Sequence, residues 1–234
     1  MNTQEAIKTF CWREKFDTPP EKTISFLKSY VRKMFDRIRY EISDENEFDK
    51  ILSFAALYEL ANMDKDDSVR NEPQDERNER LKNAETLGVV GKKFLFPKGL
   101  FIYGPCGTGK TTAARILEKL FGFVFADVEF IARKYMVEKG EEWVSDFICE
   151  NERKVVVIDD IGSEREMKRY GNSSPMVDII FARSRSYEWY GVPTIYTSNH
   201  EELDKVYGKR IDSRIFGTCE GVLIAGNDRR IRCF

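Results

Sequence analysis

The sequence predicts an α/β fold, a three-layer sandwich in which helices cover both faces of a parallel sheet, preceded by a small helical N-terminal region. After residue 85, short apolar runs alternate with longer stretches of helical periodicity. Short apolar strands that alternate with helices are typical of a parallel sheet buried on both faces. The predicted strands are 100–103, 123–126, 155–158, 194–197 and 222–225, and the predicted helices between them are 110–121, 131–149, 176–190 and 209–216.

The first 84 residues show helical patterns instead. Apolar residues recur at spacings of three and four over 23–40 and again over 48–63, so each segment has one apolar helix face. The polar segment 64–80 is either a linker or a solvated helix. We therefore divide the chain into a helical N-terminal region, 1–84, and a second domain, 85–234. We interpret the stripe of Phe26, Val31, Met34 and Phe35 as core, with a partner-binding surface as the alternative.

The composition excludes several classes of protein. The net charge of -2 gives no overall electrostatic attraction to DNA, although it leaves room for a local basic patch, for example on helix 23–40. One histidine and scattered cysteines predict neither a zinc site nor a disulfide framework. No export signal and no run of 18 apolar residues is present, so we expect a cytoplasmic protein without a membrane partner. The cysteines are Cys11, Cys106, Cys149, Cys219 and Cys233.

Residues 104–111 match the phosphate-loop pattern G-x-x-x-x-G-K-[ST] in full. Its glycines let backbone N–H groups turn toward a β-phosphate, Lys110 reaches the β- and γ-phosphate oxygens, and the Thr111 hydroxyl ligates magnesium. A predicted strand leads in and a predicted helix follows, with its positive end toward the phosphates. The sequence therefore predicts a P-loop NTPase that binds ATP and Mg2+. The predicted nucleotide-binding residues here are Gly104, Pro105, Cys106, Gly107, Thr108, Gly109, Lys110, Thr111 and Thr112.

Polar residues end two further predicted strands. Asp159 and Asp160 follow the strand 155–158, and Asn199 follows the strand 194–197. Because the carboxyl ends of parallel strands form the ligand edge of such a sheet, we expect Asp159 to hold magnesium, directly or through water. Asp160 would orient or deprotonate the attacking water, and Asn199 would hydrogen-bond the γ-phosphate or that water.

Arginines near the C-terminus are further candidates. Arg210 and Arg214 lie four residues apart in a predicted helix and therefore share a face. An arginine that reaches the γ-phosphate of a neighbouring subunit would stabilise transition-state charge, whereas the alternative is plain surface charge. After the last strand, Arg229 or Arg230 would fold back onto the nucleotide.

Together these motifs resemble the AAA+ ATPases of the DnaC/DnaI helicase-loader type, with the IstB transposition ATPases as close relatives. The resemblance covers roughly residues 97–232. It implies that Lys110 and Thr111 belong to the phosphate loop and that Asp159 and Asp160 form the Walker B pair. It likewise implies sensor 1 at Asn199, the arginine finger at Arg214 beside Arg210, and the sensor 2 arginine at Arg230. The motifs are GPCGTGKT (104–111), VVVIDDIGSE (155–164), PTIYTSN (193–199), YGKRIDSRI (207–215) and GNDRR (226–230).

The chain departs from most members of that family in two ways. Asp160 stands where most carry glutamate, which predicts slow or partner-stimulated hydrolysis. Only a short segment follows Arg214, which predicts an ATPase domain without a separate helical lid. A version from a phage or mobile element is suggested by the segment 161–171.

The resemblance implies a replication accessory ATPase that assembles into a homo-oligomer when ATP is bound. We expect it to load a replicative helicase onto single-stranded DNA. Three alternatives remain: an IstB-like transposition helper, a small-molecule P-loop kinase, and a nucleotide-gated binding protein with negligible turnover.

Overall fold

A computed structural model describes residues 20–63, 97–137, 140–163, 174–200 and 203–230. The strands are β1 (Gly99–Tyr103), β2 (Val124–Asp127), β3 (Val156–Ile161), β4 (Thr194–Ser198) and β5 (Cys219–Leu223). The helices are α1 (Pro20–Arg37), α2 (Glu45–Met63), α3 (Lys110–Phe121), α4 (Val128–Val137), α5 (Glu141–Asn151), α6 (Pro175–Tyr190), α7 (Asp204–Tyr207) and α8 (Lys209–Thr218). None of the helices in these ranges is long and apolar enough to cross a membrane.

The five strands form one sheet in the order β2-β3-β4-β1-β5. Every neighbouring pair is parallel, so all the carboxyl ends lie at one edge. The predicted parallel α/β sheet is therefore confirmed. Because β4 lies between β1 and β3, the ends of these three strands are adjacent, and the residues that follow them share one site.

Helices bury both faces of the sheet. On one face, alternate strand residues such as Leu100, Ile102 and Val157 share a hydrophobic core with α3, α1 and α2. On the other face, Phe101, Ile158 and their neighbours pack against α4, α5, α6 and α8. This arrangement is the three-layer sandwich that the continuous apolar strands predict.

The N-terminal helices belong to the first of these cores. Phe35 on α1 is 0 % exposed and packs edge-on against Phe48 of α2, with ring centroids 4.9 Å apart. Val31 and Phe35 of the predicted stripe are buried, whereas Met34 and Phe26 are only partly buried. Two exposed cations of α1 are paired with α2, because Lys28 binds Asp49 and Arg32 binds Glu45.

Helix α2 also covers the edge strand β5. Glu47 Oε2 accepts a hydrogen bond from the Leu223 backbone N–H at 2.8 Å. Lys50 Nζ donates to the Gly221 carbonyl at 3.0 Å. An edge strand presents unpaired backbone donors and acceptors, and here Glu47 satisfies one donor of β5 and Lys50 one acceptor.

Three sequence predictions about elements are wrong in detail. The single helix expected over 131–149 is two helices, because Gly140 adopts φ 57 and ψ -107, a conformation incompatible with a continuous helix. The last strand is Cys219–Leu223 rather than 222–225, since an edge strand with Glu220 and Gly221 has no continuous apolar run. The helix expected to reach Tyr40 ends at Arg37, and Arg39 turns the chain with φ 53. The predicted domain boundary between residues 84 and 85 and the polar segment 64–80 lie outside the residues that the structure describes.

Replacing Phe35 by alanine is expected to lower the free energy of unfolding by about 3–5 kcal/mol, because it opens a cavity in the shared core. Trp189→Ala is the control, since that side chain is 61 % exposed, and we expect a change of about 0.5 kcal/mol. Urea unfolding followed by circular dichroism measures both. Equal losses for the two variants would mean that α1 contributes no core to the sheet.

Candidate nucleotide site

The loop between β1 and α3 carries the phosphate-binding motif. Gly107 and Gly109 have φ of 74° and 103°, a left-handed backbone that favours glycine. Gly109 is also the residue that caps the N-terminus of α3, so the first N–H groups of that helix face the loop. The Thr108 hydroxyl donates to the Pro105 carbonyl at 3.0 Å and fixes the tip. This backbone is preorganised to hold an anion at the positive end of α3.

Lys110 is buried beneath this loop. Its Nζ donates to the carbonyls of Gly104 at 2.8 Å and Pro105 at 2.6 Å. Burial lowers the pKa of Lys110, whereas the neighbouring Cys106 and Asp160 act in the opposite direction. The ammonium group is therefore held at the loop by neutral carbonyls and not by a carboxylate.

Asp159, which lies inside β3 two residues before its end, is next to Thr111, the first threonine of α3. Its Oδ1 accepts a 2.6 Å hydrogen bond from the hydroxyl of Thr197, and the Thr111 hydroxyl also binds its carboxyl group. Burial raises the pKa of Asp159, although both hydrogen bonds favour the charged form. The Thr197 hydroxyl in turn accepts a 2.8 Å bond from the Asp160 backbone N–H, so it joins β4 to both aspartates.

Asp160 sits at an irregularity between β3 and β4. Ile158 pairs with Tyr196 and Ile161 with Ser198, so β3 carries one residue more than β4 between these pairs. Asp160 adopts φ 63 at this bulge, which turns its side chain out of the regular alternation. Its Oδ1 accepts a 2.7 Å hydrogen bond from Asn199 Nδ2. The two polar residues predicted from separate strands are thus in direct contact.

A cavity of about 500 Å³ joins these groups. From the phosphate loop and the strand ends it is lined by Gly107, Gly109, Lys110, Thr111, Thr112, Asp159, Asp160 and Asn199. Gly104, Pro105, Cys106 and Thr108 belong to the same loop but do not line the cavity. Cys106 and Pro105 point outward and are exposed, whereas Thr108 is buried behind the loop.

The remaining wall comes from both ends of the described chain. The turn after α1, residues 38–41, lines the cavity together with Arg229 and Arg230. Sequence reasoning missed this turn, because nothing in its composition marks a binding site. Of the two arginines, Arg230 carries a side chain that is 76% exposed, 3.6 Å from Asp228. Arg229 is less exposed and packs over the Tyr40 ring, 5.1 Å from its centroid.

Arg210 and Arg214 lie elsewhere, on α8, and do not line this cavity. Both guanidinium groups approach the ring of Phe181, at 4.9 Å and 5.2 Å from its centroid. Arg214 also forms an ion pair with Glu188 at 3.0 Å. The shared helix face expected for these two arginines is therefore present, and it lies outside this cavity.

The site has the donors that magnesium prefers. Thr111 supplies a hydroxyl oxygen and Asp159 a carboxylate, and the two are already hydrogen-bonded to each other. Magnesium is commonly held by one or two such oxygens together with phosphates and waters, rather than by a complete protein cage. Consistent with that, the described residues include no cluster of three or more His, Cys, Asp or Glu suited to a metal.

Residues 100–218 match the family described as the ATPase family associated with various cellular activities (AAA), over about half of the chain. The chain belongs to this family, and the predicted AAA-type P-loop ATPase fold is confirmed.

Two curated relatives match part of this chain. The ORC1-type DNA replication protein 7 of Halobacterium salinarum is 28% identical over 116 residues, 50% of this chain and 21% of that protein. The 26S proteasome subunit RPT4 of Saccharomyces cerevisiae is 42% identical over 62 residues, 26% of this chain and 14% of that protein. The matches thus span about a fifth of the first relative and a seventh of the second.

Solved structures with a similar arrangement include the DnaC helicase loader and DnaI. The first is 21% identical and covers 68% of this chain and 94% of its own, with a TM-score of 0.43. The second is 21% identical and covers 66% of this chain and 87% of its own, with a TM-score of 0.42. Similarity at this level assigns no partner to the chain.

Thr197→Val is expected to reduce ATPase turnover about 10- to 100-fold, because the hydroxyl that orients Asp159 and binds the Asp160 backbone is lost. Ser198→Ala is the matched control. It removes a buried hydroxyl from the next position of β4, which donates to the Ile161 carbonyl and not to a carboxylate.

Each of these two variants should lose about 1–3 kcal/mol of stability. Steady-state phosphate release and thermal unfolding measure the two effects. A similar loss of turnover in both variants would assign Thr197 a purely structural role.

Proposed function

We propose that this chain binds ATP and magnesium in the cavity and hydrolyses ATP as a switch that helps to load a replicative helicase onto single-stranded DNA. The observation that supports this most is the hydrogen-bonded set Asp159, Thr197, Asp160 and Asn199 facing Lys110 and Thr111 across one cavity. A phosphate loop, a metal-binding carboxylate and a water-orienting pair are the parts that P-loop hydrolysis requires.

The phosphate loop would hold the triphosphate. Its backbone N–H groups and the N-terminus of α3 favour negative charge at Gly107–Lys110. Lys110 would exchange the carbonyls of Gly104 and Pro105 for phosphate oxygens, a stronger interaction because both partners are then charged. The lysine needs little rearrangement for this, since its ammonium group already lies at the loop.

Thr111 and Asp159 are the residues that would hold magnesium. When bound, this ion neutralises charge that develops on the phosphate oxygens. Thr197 keeps the Asp159 carboxylate oriented toward Thr111, so the oxygen donors are aligned before any ligand arrives.

Asp160 and Asn199 would act on the attacking water. Asp160 accepts a hydrogen bond from Asn199, which fixes one carboxylate oxygen and leaves the other to accept a proton from water. An aspartate is one methylene shorter than a glutamate, so its reach toward the water is shorter. We therefore propose slow turnover that a partner accelerates.

Arg214, with Arg210 beside it, would complete the site of a neighbouring subunit. Neither arginine lines the cavity of its own chain, and both are held against Phe181 on the α6–α8 surface. An arginine that reaches a γ-phosphate in trans stabilises transition-state charge and makes turnover depend on assembly. This supports an ATP-dependent homo-oligomer.

The assignment to replication is supported by the motif resemblance to helicase loaders and by a relative that is named as a DNA replication protein. Contact with DNA through α1 has less support, because Asp49 and Glu45 neutralise Lys28 and Arg32 on that helix. We propose the helicase as the partner of the N-terminal region and single-stranded DNA as a ligand of the assembled form.

Lys110→Ala is expected to abolish ATP binding, whereas Asp160→Asn should bind ATP and lose turnover by about 100-fold or more. Phosphate release with and without single-stranded DNA, combined with light scattering, measures turnover and assembly together. The wild type should assemble with ATP and turn over faster with DNA.

A monomer that transfers phosphate to a small acceptor would instead make the chain a kinase. Failure to capture any hexameric helicase, with or without ATP, would count against loading.

A mixture of Arg214→Ala and Lys110→Ala subunits should hydrolyse ATP although each variant alone is inactive. In the mixture, the intact Arg214 of one subunit faces the intact phosphate loop of the other. Phosphate release at increasing mixing ratios measures the recovery, and Arg210→Ala tested in the same way decides between the two arginines. No recovery at any ratio would rule out action in trans.

A further inference from the structure

Three distant segments of the chain meet at Gly109 of the phosphate loop. The Tyr40 hydroxyl donates to the Gly109 carbonyl at 3.3 Å. A Cβ placed on Gly109 would lie 3.0 Å from Tyr40 Cε2 and 3.1 Å from Arg229 Nη1. Gly109 is therefore contacted on the same side by the turn after α1 and by the segment after β5.

Arg229 joins these two segments. Its Nη2 donates to the Glu41 carbonyl, its Nε lies 3.5 Å from the Glu41 carboxylate, and its guanidinium group covers the Tyr40 ring. Its own backbone N–H donates to the Gly107 carbonyl at 3.0 Å. The backbone of Arg229 thus binds the phosphate loop, and its side chain binds the turn after α1.

The turn is itself part of the packing of α1 and α2. The Tyr40 ring packs edge-on against Phe35 of α1 at 5.2 Å and parallel to Phe48 of α2 at 6.2 Å. Burial is also the main reason why the pKa of Tyr40 is raised to about 12, so its hydroxyl remains a donor at neutral pH. Continuous contact therefore runs from the N-terminal helices to Gly109, the N-cap residue of α3.

We propose that Tyr40 and Arg229 are positioning residues for the phosphate loop, so that nucleotide affinity depends on the docking of α1 and α2. Tyr40 fixes the Gly109 peptide, and Arg229 holds Tyr40 and Glu41 in place. A partner that pulls on the N-terminal helices would loosen the loop, and a bound triphosphate would tighten the helices by the same free energy. This inference rests on the proposed nucleotide site.

The test is the affinity of the full chain for Mg-ATP and for Mg-tripolyphosphate, measured by titration calorimetry. Tyr40→Phe removes only the hydroxyl and should weaken binding about fivefold, whereas Arg229→Ala should weaken it about tenfold. The two losses should not add in the double variant, because the residues act as one unit.

A matched pair elsewhere in the fold provides the control. The Tyr190 hydroxyl donates to Glu152, also at 3.3 Å, and Arg153 lies 4.6 Å from the Tyr190 ring centroid. Neither residue lines the nucleotide cavity. Tyr190→Phe and Arg153→Ala remove interactions of the same kind, a tyrosine hydroxyl bond and an arginine beside a ring. Both variants should leave the affinities for Mg-ATP and Mg-tripolyphosphate unchanged.

The two ligands separate loop positioning from direct contact with the base. A positioning role weakens binding of both by the same factor, because tripolyphosphate has no base. Weakening for ATP alone would overturn the inference and make Tyr40 a base contact. Unchanged affinities in the variants, with a wild type that binds ATP, would overturn the inference and leave the proposed function intact. A wild type that binds neither ligand would overturn both.

Amide exchange provides a second readout that a local packing defect would not produce. ATP should slow exchange in α1 and α2 of the wild type and of the control variants, and Arg229→Ala should abolish that protection. Protection that survives in Arg229→Ala would show that the helices and the loop communicate by another route, and the inference would fail.

Discussion

A parallel sheet with apolar side chains on both faces needs a layer of helices on each face. The layer that contains α3, the helix after the phosphate loop, comes from two parts of the chain. Helix α3 follows the loop directly, whereas α1 and α2 come from the N-terminal region and complete the same core. Phe35 and Phe54 are as deeply buried as Leu100 and Ile102 of the inner strand β1. The N-terminal helices therefore help to stabilise the sheet itself, and the position of the phosphate loop depends on them.

The strand order determines which residues meet at the candidate nucleotide site. Because β4 lies between β1 and β3, the phosphate loop, the aspartates and Asn199 reach the same edge. One hydroxyl, that of Thr197, sets the relative position of Asp159 and Asp160. Two successive side chains of a regular strand point to opposite faces of the sheet. The bulge at Asp160 breaks this alternation, so that Asp159 and Asp160 both line the cavity.

Much of this could be predicted from the sequence because its signals are local. The apolar runs identify the strands, and the spacing of glycines and Lys110 identifies the loop. Asp159, Asp160 and Asn199 could be grouped because strand ends converge in any parallel sheet. Nothing in the sequence singles out Thr197, since a threonine inside an apolar strand is ordinary, and only the register of β3 against β4 reveals its two partners. The amphipathic pattern places Tyr40 in a helix, because such a pattern does not show where α1 ends. Tyr40 and Gly109 are 69 positions apart in the sequence, so no local pattern indicates their contact.

The cover of α2 over β5 also limits how copies of this protein meet. Glu47 and Lys50 occupy one donor and one acceptor of β5 that an added strand would need, so extending the sheet at this edge would have to displace both side chains. Without that displacement, β-augmentation would have to start from β2, at the opposite edge of the described sheet. The homo-oligomer proposed above would more readily use side-chain surfaces of helices and loops, which can separate and re-form without breaking a ladder of backbone hydrogen bonds.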